Sequence, residues 1–245
     1  TEMFHELIVD LEDFTIKKKL GEGTFGSVYL VEEKETGQEF AAKVSRFECL
    51  KVSDQKAFFQ EISALSIIKN AATLKIKGFN LANFENEHFP TILTQYMPNG
   101  SLEKLIKENK NLDPTKKYII LLGIAEGMKY LHLHKIIHRD LKPANVLLDK
   151  NQFPHIADYG CAYISQLAIS SIQMDTYAGT PIYMAPEIFK CEPYTYKVDV
   201  YAFAIIAYEL ITEKPPFDDN ILTSKRKLSK NVINGVRPNL SKFDI

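Results

Sequence analysis

Cysteine is scarce in this sequence: Cys49, Cys161 and Cys191 lie far apart among 245 residues, with no CxxC pair. That count excludes a disulfide framework and fits a reducing compartment. Neither sign of charge dominates, with 30 Lys and Arg against 31 Asp and Glu and a net charge of -1, so nothing marks a binder of nucleic acid. Long hydrophobic runs are missing too. The most apolar stretch, 198–211, is interrupted by Asp199 and Glu209, which makes it too short and too polar to span a bilayer. It reads as a buried core helix, and no membrane contact is expected within this segment. Residues 1–10 hold three acids and no signal-peptide pattern, so a cytoplasmic location is expected. Internal repeats and low-complexity tracts are also absent. What remains is an ordinary globular composition, 45% hydrophobic and 25% charged, long enough for one large domain or two small lobes around a cleft.

The first third is strand-rich. Residues 14–20, 27–33 and 39–44 have strand character, and Glu35-Thr36-Gly37-Gln38 supplies a turn. A helix follows, with Phe58, Ile62, Leu65 and Ile68 on one face and Ser53 or Asp54 as its cap. Residues 91–96 form another strand. Pro98-Asn99-Gly100 breaks the pattern, Ser101 caps a short helix, and Asp113-Pro114 opens a long one running toward His134. Short strands, a loop rich in Gly, Pro, Ser and Thr, and the helix at 197–211 complete the chain. The order is a small β-rich half, a joint near 97–100, and a larger helical half, with the cleft between them as the expected ligand site.

Gly21-Glu22-Gly23-Thr24-Phe25-Gly26-Ser27-Val28 matches GxGxxGxV, in which glycines let backbone N–H groups approach phosphates closely. A dinucleotide-binding fingerprint shares the GxGxxG, but there the third glycine opens a helix. Here strand-like Val28-Tyr29-Leu30-Val31 follows, which favours a hairpin; an ordinary glycine turn has the same composition. Lys43 sits in apolar Phe40-Ala41-Ala42-Lys43-Val44, where a buried lysine needs a partner, and Glu61 on the following helix is a candidate. A surface lysine on an edge strand would look the same. Residues 136–148 crowd His138, Arg139, Asp140, Lys142 and Asn145 between two apolar runs, and Asp158-Tyr159-Gly160 follows. So polar a loop held between buried strands marks a site. Asn145 and Asp158 supply hard oxygen donors suited to Mg²⁺ shared with phosphates.

Taken together, these segments and Ala185-Pro186-Glu187 resemble the eukaryotic protein kinases, in the family's order and from about Phe14 to the last residue. The resemblance implies an α+β, two-lobed protein-kinase-like fold: a small β-rich N-lobe with one major helix (1–96), a hinge (97–100) and a larger, mainly helical C-lobe (101–245). It implies ATP and Mg²⁺ as cofactors and a protein substrate, with room for flanking regulatory domains. Asp140 would accept the substrate hydroxyl proton, Lys142 would neutralise the transferring phosphoryl group, Asn145 and Asp158 would hold the metals, and Lys43, paired with Glu61, would position the phosphates. Adenine would lie between Leu20, Val28 and Ala41 on one side and Leu147 on the other. Backbone groups of Gln95 to Met97 would bond its edge, with Thr94 behind it. The glycine segment from Gly21 to Gly26 would cover the phosphates.

Asp140-Leu141-Lys142-Pro143-Ala144-Asn145 and Gly179-Thr180-Pro181 resemble the serine/threonine kinases, with Thr180 expected to bond Asp140 and Lys142. The hinge and the helix at 197–211 resemble the tyrosine-kinase-like branch. Tyr159 stands where the family has Phe, and its buried hydroxyl needs a partner. Tyr201 and Ala204 replace a usual Trp and Gly, while Asp199 is expected to brace the catalytic loop through backbone N–H groups. Residues 69–78 look short for their connection. The arginine expected to pair with Glu187 is not evident, and the parent protein is expected to continue beyond Ile245. Arg139 is the expected partner for a phosphate on Ser165, Ser170, Ser171, Thr176 or Tyr177, with Ser170, Ser171 and Thr176 favoured as activating positions. The competing readings are a pseudokinase scaffold, a dual-specificity kinase, a small-molecule kinase and a dinucleotide-binding oxidoreductase. Lys43, Asp140, Asn145 and Asp158 are all present, which argues against the first. The peptide-docking look of Ala185-Pro186-Glu187 argues against the third. The strand after Gly26 argues against the last.

Overall fold

The computed structural model describes residues 2–23, 26–48, 52–108, 111–164 and 179–242. The chain divides into two compact units, one of Thr1–Lys69 with Leu74–Pro98, the other of Asn70–Thr73 with Asn99–Ile245.

The first unit is built on five antiparallel strands: β1 (Phe14–Gly23), β2 (Gly26–Glu33), β3 (Glu39–Ser45), β4 (Ile76–Asn80) and β5 (Thr91–Gln95), in the order β1-β2-β3-β5-β4. Period-2 alternation sorts their side chains onto two faces. In the register, Val28 lies opposite Lys43, Ala41 opposite both Leu30 and Thr94, and Lys43 opposite Ile92, so these share one face. The other face carries Val31, Phe40, Ala42 and Leu93, buried with Leu11 and Phe14. β3 lies in the interior of the sheet, which rules out the edge-strand reading of Lys43. Helix α1 (Val52–Ile67) buries Ile62, Ala64 and Leu65. It begins at Val52, so Ser53 and Asp54 lie in its first turn and not at its cap. Apolar periodicity fixes the face a helix buries but leaves its first residue open by one or two positions.

The second unit holds α2 (Leu102–Glu108), α3 (Pro114–Leu133), α4 (Pro186–Phe189), α5 (Lys197–Thr212), α6 (Asp219–Leu222) and α7 (Lys225–Ile233). Its short strands pair antiparallel, β6 (Ile136–Ile137) with β9 (Tyr163–Ile164) and β7 (Val146–Leu148) with β8 (Pro154–Ile156). Ser101 caps α2, its hydroxyl accepting from the Lys104 N–H at 3.3 Å. Asp113 caps α3, accepting from the Lys116 N–H at 3.0 Å, with Pro114 in the first turn where no backbone donor is needed. The core gathers Ile137, Met184, Ile188, Val198, Ile205 and Leu228. Asn70–Thr73 belongs here because the Ala72 carbonyl accepts from the Ile156 N–H at 2.9 Å and Thr73 bridges Ile156. The Asn70 side chain accepts from the Ala72 N–H at 2.8 Å, a side-chain turn that keeps this connection short. Among the described residues, no helix is long and apolar enough to cross a membrane.

Candidate active site

In the first unit, Lys43 and Glu61 meet. The ammonium lies 2.8 Å from Glu61 Oε1 and 3.1 Å from Oε2, a two-point contact between β3 and α1. The two side chains are 29% and 13% exposed. Val28, Ala41 and Thr94 share the Lys43 face, whereas alternation puts the Gln95 side chain on the opposite one. The Gln95 N–H donates to the Lys75 carbonyl at 2.9 Å, so it is already spent within the sheet. Met97 is buried and Leu20 is exposed.

The glycine segment folds as the tip of the β1–β2 hairpin, with Gly23 opposite Gly26. Among the described residues, a Cβ placed on Gly21 or Gly23 would meet no atom within 4 Å, so packing against them does not demand glycine at either position. Glu22 turns its carboxylate to Lys19 (2.7 Å) and Arg46 (2.8 Å), chiefly the Lys19 contact holding its pKa below the usual carboxylate range. Thr24 and Phe25 lie outside the described residues.

In the second unit, four polar groups converge. Asp140 Oδ2 accepts from Lys142 Nζ at 2.7 Å and Asp140 Oδ1 from the Thr180 hydroxyl at 2.8 Å. Lys142 Nζ also donates to the Thr180 oxygen at 2.9 Å, closing a triangle. Asn145 Nδ2 donates to the Asp140 carbonyl at 2.8 Å and to its carboxylate at 3.2 Å. With Nδ2 committed, Asn145 Oδ1 is the atom left to meet a cation. Asn145 immediately precedes β7 and Asp158 follows two residues after β8. Val146 pairs with Ile156, and the Ala157 N–H donates to the Asn145 carbonyl at 2.8 Å. Antiparallel pairing thus brings Asn145 and Asp158 to the same end of the ladder, with Leu147 one residue inside it.

Asp199 holds this loop from α5. It is 1% exposed, and its carboxylate accepts from the backbone N–H groups of His138 and Arg139 and from His132 Nε2, each at 2.9 Å. His138 Nε2 donates to the Ala157 carbonyl at 2.9 Å and its Nδ1 accepts from the Asp140 N–H at 3.3 Å, which fixes the tautomer with the proton on Nε2. Gly179 runs close by at φ 109°, and a Cβ there would stand 2.5 Å from the Arg139 carbonyl. Only glycine lets Thr180 arrive beside Asp140.

Tyr159 is fully buried, and its hydroxyl finds a partner in the Ile156 carbonyl at 2.9 Å. Burial pushes its pKa well above the usual tyrosine range. Reading the sequence missed one pair: the Tyr183 hydroxyl donates to Glu209 at 2.6 Å, and burial raises the pKa of both. Glu209, an acid in the apolar second half of α5, was the signal for it. Arg139 reaches the Tyr194 hydroxyl at 3.5 Å. Ser165, Ser170, Ser171, Thr176 and Tyr177 lie outside the described residues.

One unit thus holds an ammonium–carboxylate pair, and the other a carboxylate–ammonium–hydroxyl triangle beside the Asn145 amide. The sequence pattern of the family described as "Protein kinase domain" matches residues 14–242, and the chain belongs to that family. It is 35% identical over 235 residues to the RGS domain-containing serine/threonine-protein kinase A of Dictyostelium discoideum, covering 96% of this chain and 20% of that one. A probable LRR receptor-like serine/threonine-protein kinase of Arabidopsis thaliana is 36% identical over 230 residues, 92% of this chain and 22% of its own. An Aurora kinase of Yarrowia lipolytica is 33% identical over 210 residues, 85% and 54%. The chain thus spans about a fifth of the first two relatives and about half of the third.

Proposed function

We propose that this chain is a working serine/threonine-protein kinase domain that moves the terminal phosphoryl group of ATP to hydroxyl groups of protein substrates. The observation that carries this reading is the closed triangle of Asp140, Lys142 and Thr180. It aims a carboxylate at an incoming hydroxyl and keeps an ammonium beside it. The acceptor oxygen bonds to the terminal phosphorus as the bond to the ADP oxygen breaks, and the acceptor proton moves toward Asp140. Lys142 faces the charge on the transferring group, and orientation by Asp140 outweighs its basicity in a loose transition state. Asn145 Oδ1 and the Asp158 carboxylate are hard oxygen donors of the kind Mg²⁺ takes beside phosphates, and they would hold it. When bound, that ion neutralises charge on the phosphate oxygens.

Lys43, held by Glu61, supplies its ammonium to the inner phosphates, and the clear backbone at Gly21 and Gly23 accommodates their oxygens. Glu22 contributes backbone alone. Gly26 faces Gly23 at the end of the same hairpin. Leu20, Val28, Ala41 and Leu147 supply apolar surface to the adenine. The Gln95 carbonyl and the Met97 backbone serve its edge, with Thr94 on the sheet face beside them. Two of the three relatives carry serine/threonine-protein kinase in their names, which supports the same acceptor class here. Use of ATP and three scattered cysteines favour a cytoplasmic location. Regulatory domains would flank the segment in the whole protein.

The test is phosphotransfer from labelled ATP onto degenerate peptide arrays, comparing the wild type with Asp140→Asn. Serine and threonine peptides should be labelled, and the variant should be slower by roughly 10²–10⁴-fold. Labelling confined to tyrosine peptides would refute the acceptor class, and no labelling by the wild type would leave a scaffold on the same fold.

A further inference from the structure

The segment ahead of the family's matched region is built into the first unit. β4 is the edge strand of its sheet, and an open edge exposes unpaired backbone groups. Here the edge is covered. Ile8 bridges Phe79 in parallel, the Val9 N–H donates to the Phe79 carbonyl at 3.0 Å, and Asn80 Nδ2 donates to the Val9 carbonyl at 2.9 Å. Gly78 makes this approach possible. A Cβ there would lie 2.4 Å from Val9 Cγ1 and 2.6 Å from the Leu7 carbonyl, while its φ lies outside the left-handed range and would suit any residue. Glycine at 78 is therefore demanded by the strap alone.

Just before this strap, Phe4 stacks on Phe59 of α1, with ring centroids 6.5 Å apart and planes 14° from parallel. Phe59 in turn meets the buried Phe79 edge-on at 6.3 Å, and Phe58 meets the same ring at 5.9 Å. Glu61 is two residues beyond Phe59, about 200° further around the helix. Phe4 and Phe59 thus grip α1 on the side away from the Glu61 carboxylate, while Phe58, three residues before Glu61 and about 60° from it around the helix, packs on Phe79.

We infer that Phe4, anchored by the Ile8–Val9 strap on β4, is a positioning residue for the phosphotransfer reaction: it holds α1 so that Glu61 meets Lys43. The inference rests on the proposed kinase reading for its effect on rate, but its effect on α1 is independent of activity. Two measurements in the full chain therefore test it. In hydrogen–deuterium exchange, Phe4→Ala should lower the protection of α1 amides around residues 58–68, and Gly78→Val should do the same by displacing the strap. In phosphotransfer, Phe4→Ala should lower kcat/KM roughly tenfold. Phe4→Tyr should restore most of it, and in a Glu61→Gln background Phe4→Ala should add almost nothing. Unchanged α1 protection in Phe4→Ala overturns the inference, and so does a Phe4→Ala loss that is undiminished on top of Glu61→Gln. If the wild type transfers no phosphate, the kinase reading falls, and the exchange data alone still decide whether the strap holds α1.

Discussion

The two units hold their charged groups in different ways. In the first, Lys43 meets Glu61 across a gap between a strand and a helix, and nothing in the sheet register compels α1 to bring Glu61 there. In the second, Asp140 is tied by Lys142, Thr180 and Asn145, and its loop hangs from the buried Asp199 by two backbone donors. One arrangement joins a strand to a helix through a partly exposed ion pair. The other is a mesh in which each member satisfies its neighbours, and buried polar groups of that kind are costly to leave unpaired. The contrast sets a contact between two elements against a network within one loop and its anchors.

The sharpest way to break the mesh is Asp199→Ala. It orphans the His138 and Arg139 N–H groups and the His132 donor together, so the expected loss of unfolding free energy is about 3–5 kcal/mol. Chemical denaturation followed by circular dichroism measures it, and a loss under about 1 kcal/mol would show that the loop does not depend on α5. Glu61→Gln should do the converse. Its kcat/KM should fall about 10–100-fold with the unfolding midpoint nearly unchanged, because the pair is partly exposed and contributes little to stability. A large drop in midpoint would make the joint structural and erase the distinction.

A smaller effect concerns pH. Glu213, after α5, accepts from the N–H groups of Asn111 (2.6 Å) and Leu112 (2.8 Å) and pairs with Lys117 of α3 at 2.7 Å. Chiefly the Lys117 contact brings its pKa down to about 2. A carboxyl group whose folded pKa is depressed adds stability above its unfolded value. That contribution is lost as the pH falls from about 4.5 toward 2. The wild type should therefore lose more stability than Glu213→Gln between pH 6 and pH 3, and parallel urea curves for the two proteins would rule the effect out.

Much of this was legible in the sequence, for identifiable reasons. Strand alternation placed β1, β2, β3 and β5 within a few residues, and Ser101 and Asp113-Pro114 marked their helix starts because capping is a local interaction. The Lys43–Glu61 pair and the need of the Tyr159 hydroxyl for a partner were foreseen from residue type and position, while the Asp140–Lys142–Thr180 contacts and the anchoring of the loop by Asp199 followed from the resemblance to the kinases. Contacts set by tertiary structure alone were not. Residues 70–73 join the second unit through the Ile156 backbone, which no composition signal announces. The strap at 4–9 was read only for its acids and its lack of a leader pattern. Its partner residues, Phe59, Gly78 and Phe79, are some seventy positions or more away or belong to another element, so local patterning carries no trace of them.

Tyr159 carries a further consequence. Its ring is sealed from solvent, stands 5.3 Å from the His138 ring, and is pinned at the tip by the Ile156 carbonyl. Any rearrangement that draws this ring out must break that bond as well as surrender the aromatic contact, a surcharge of about 1 kcal/mol that a phenylalanine would not carry. The hydroxyl thus restrains the buried ring at a point where phenylalanine would have no polar contact.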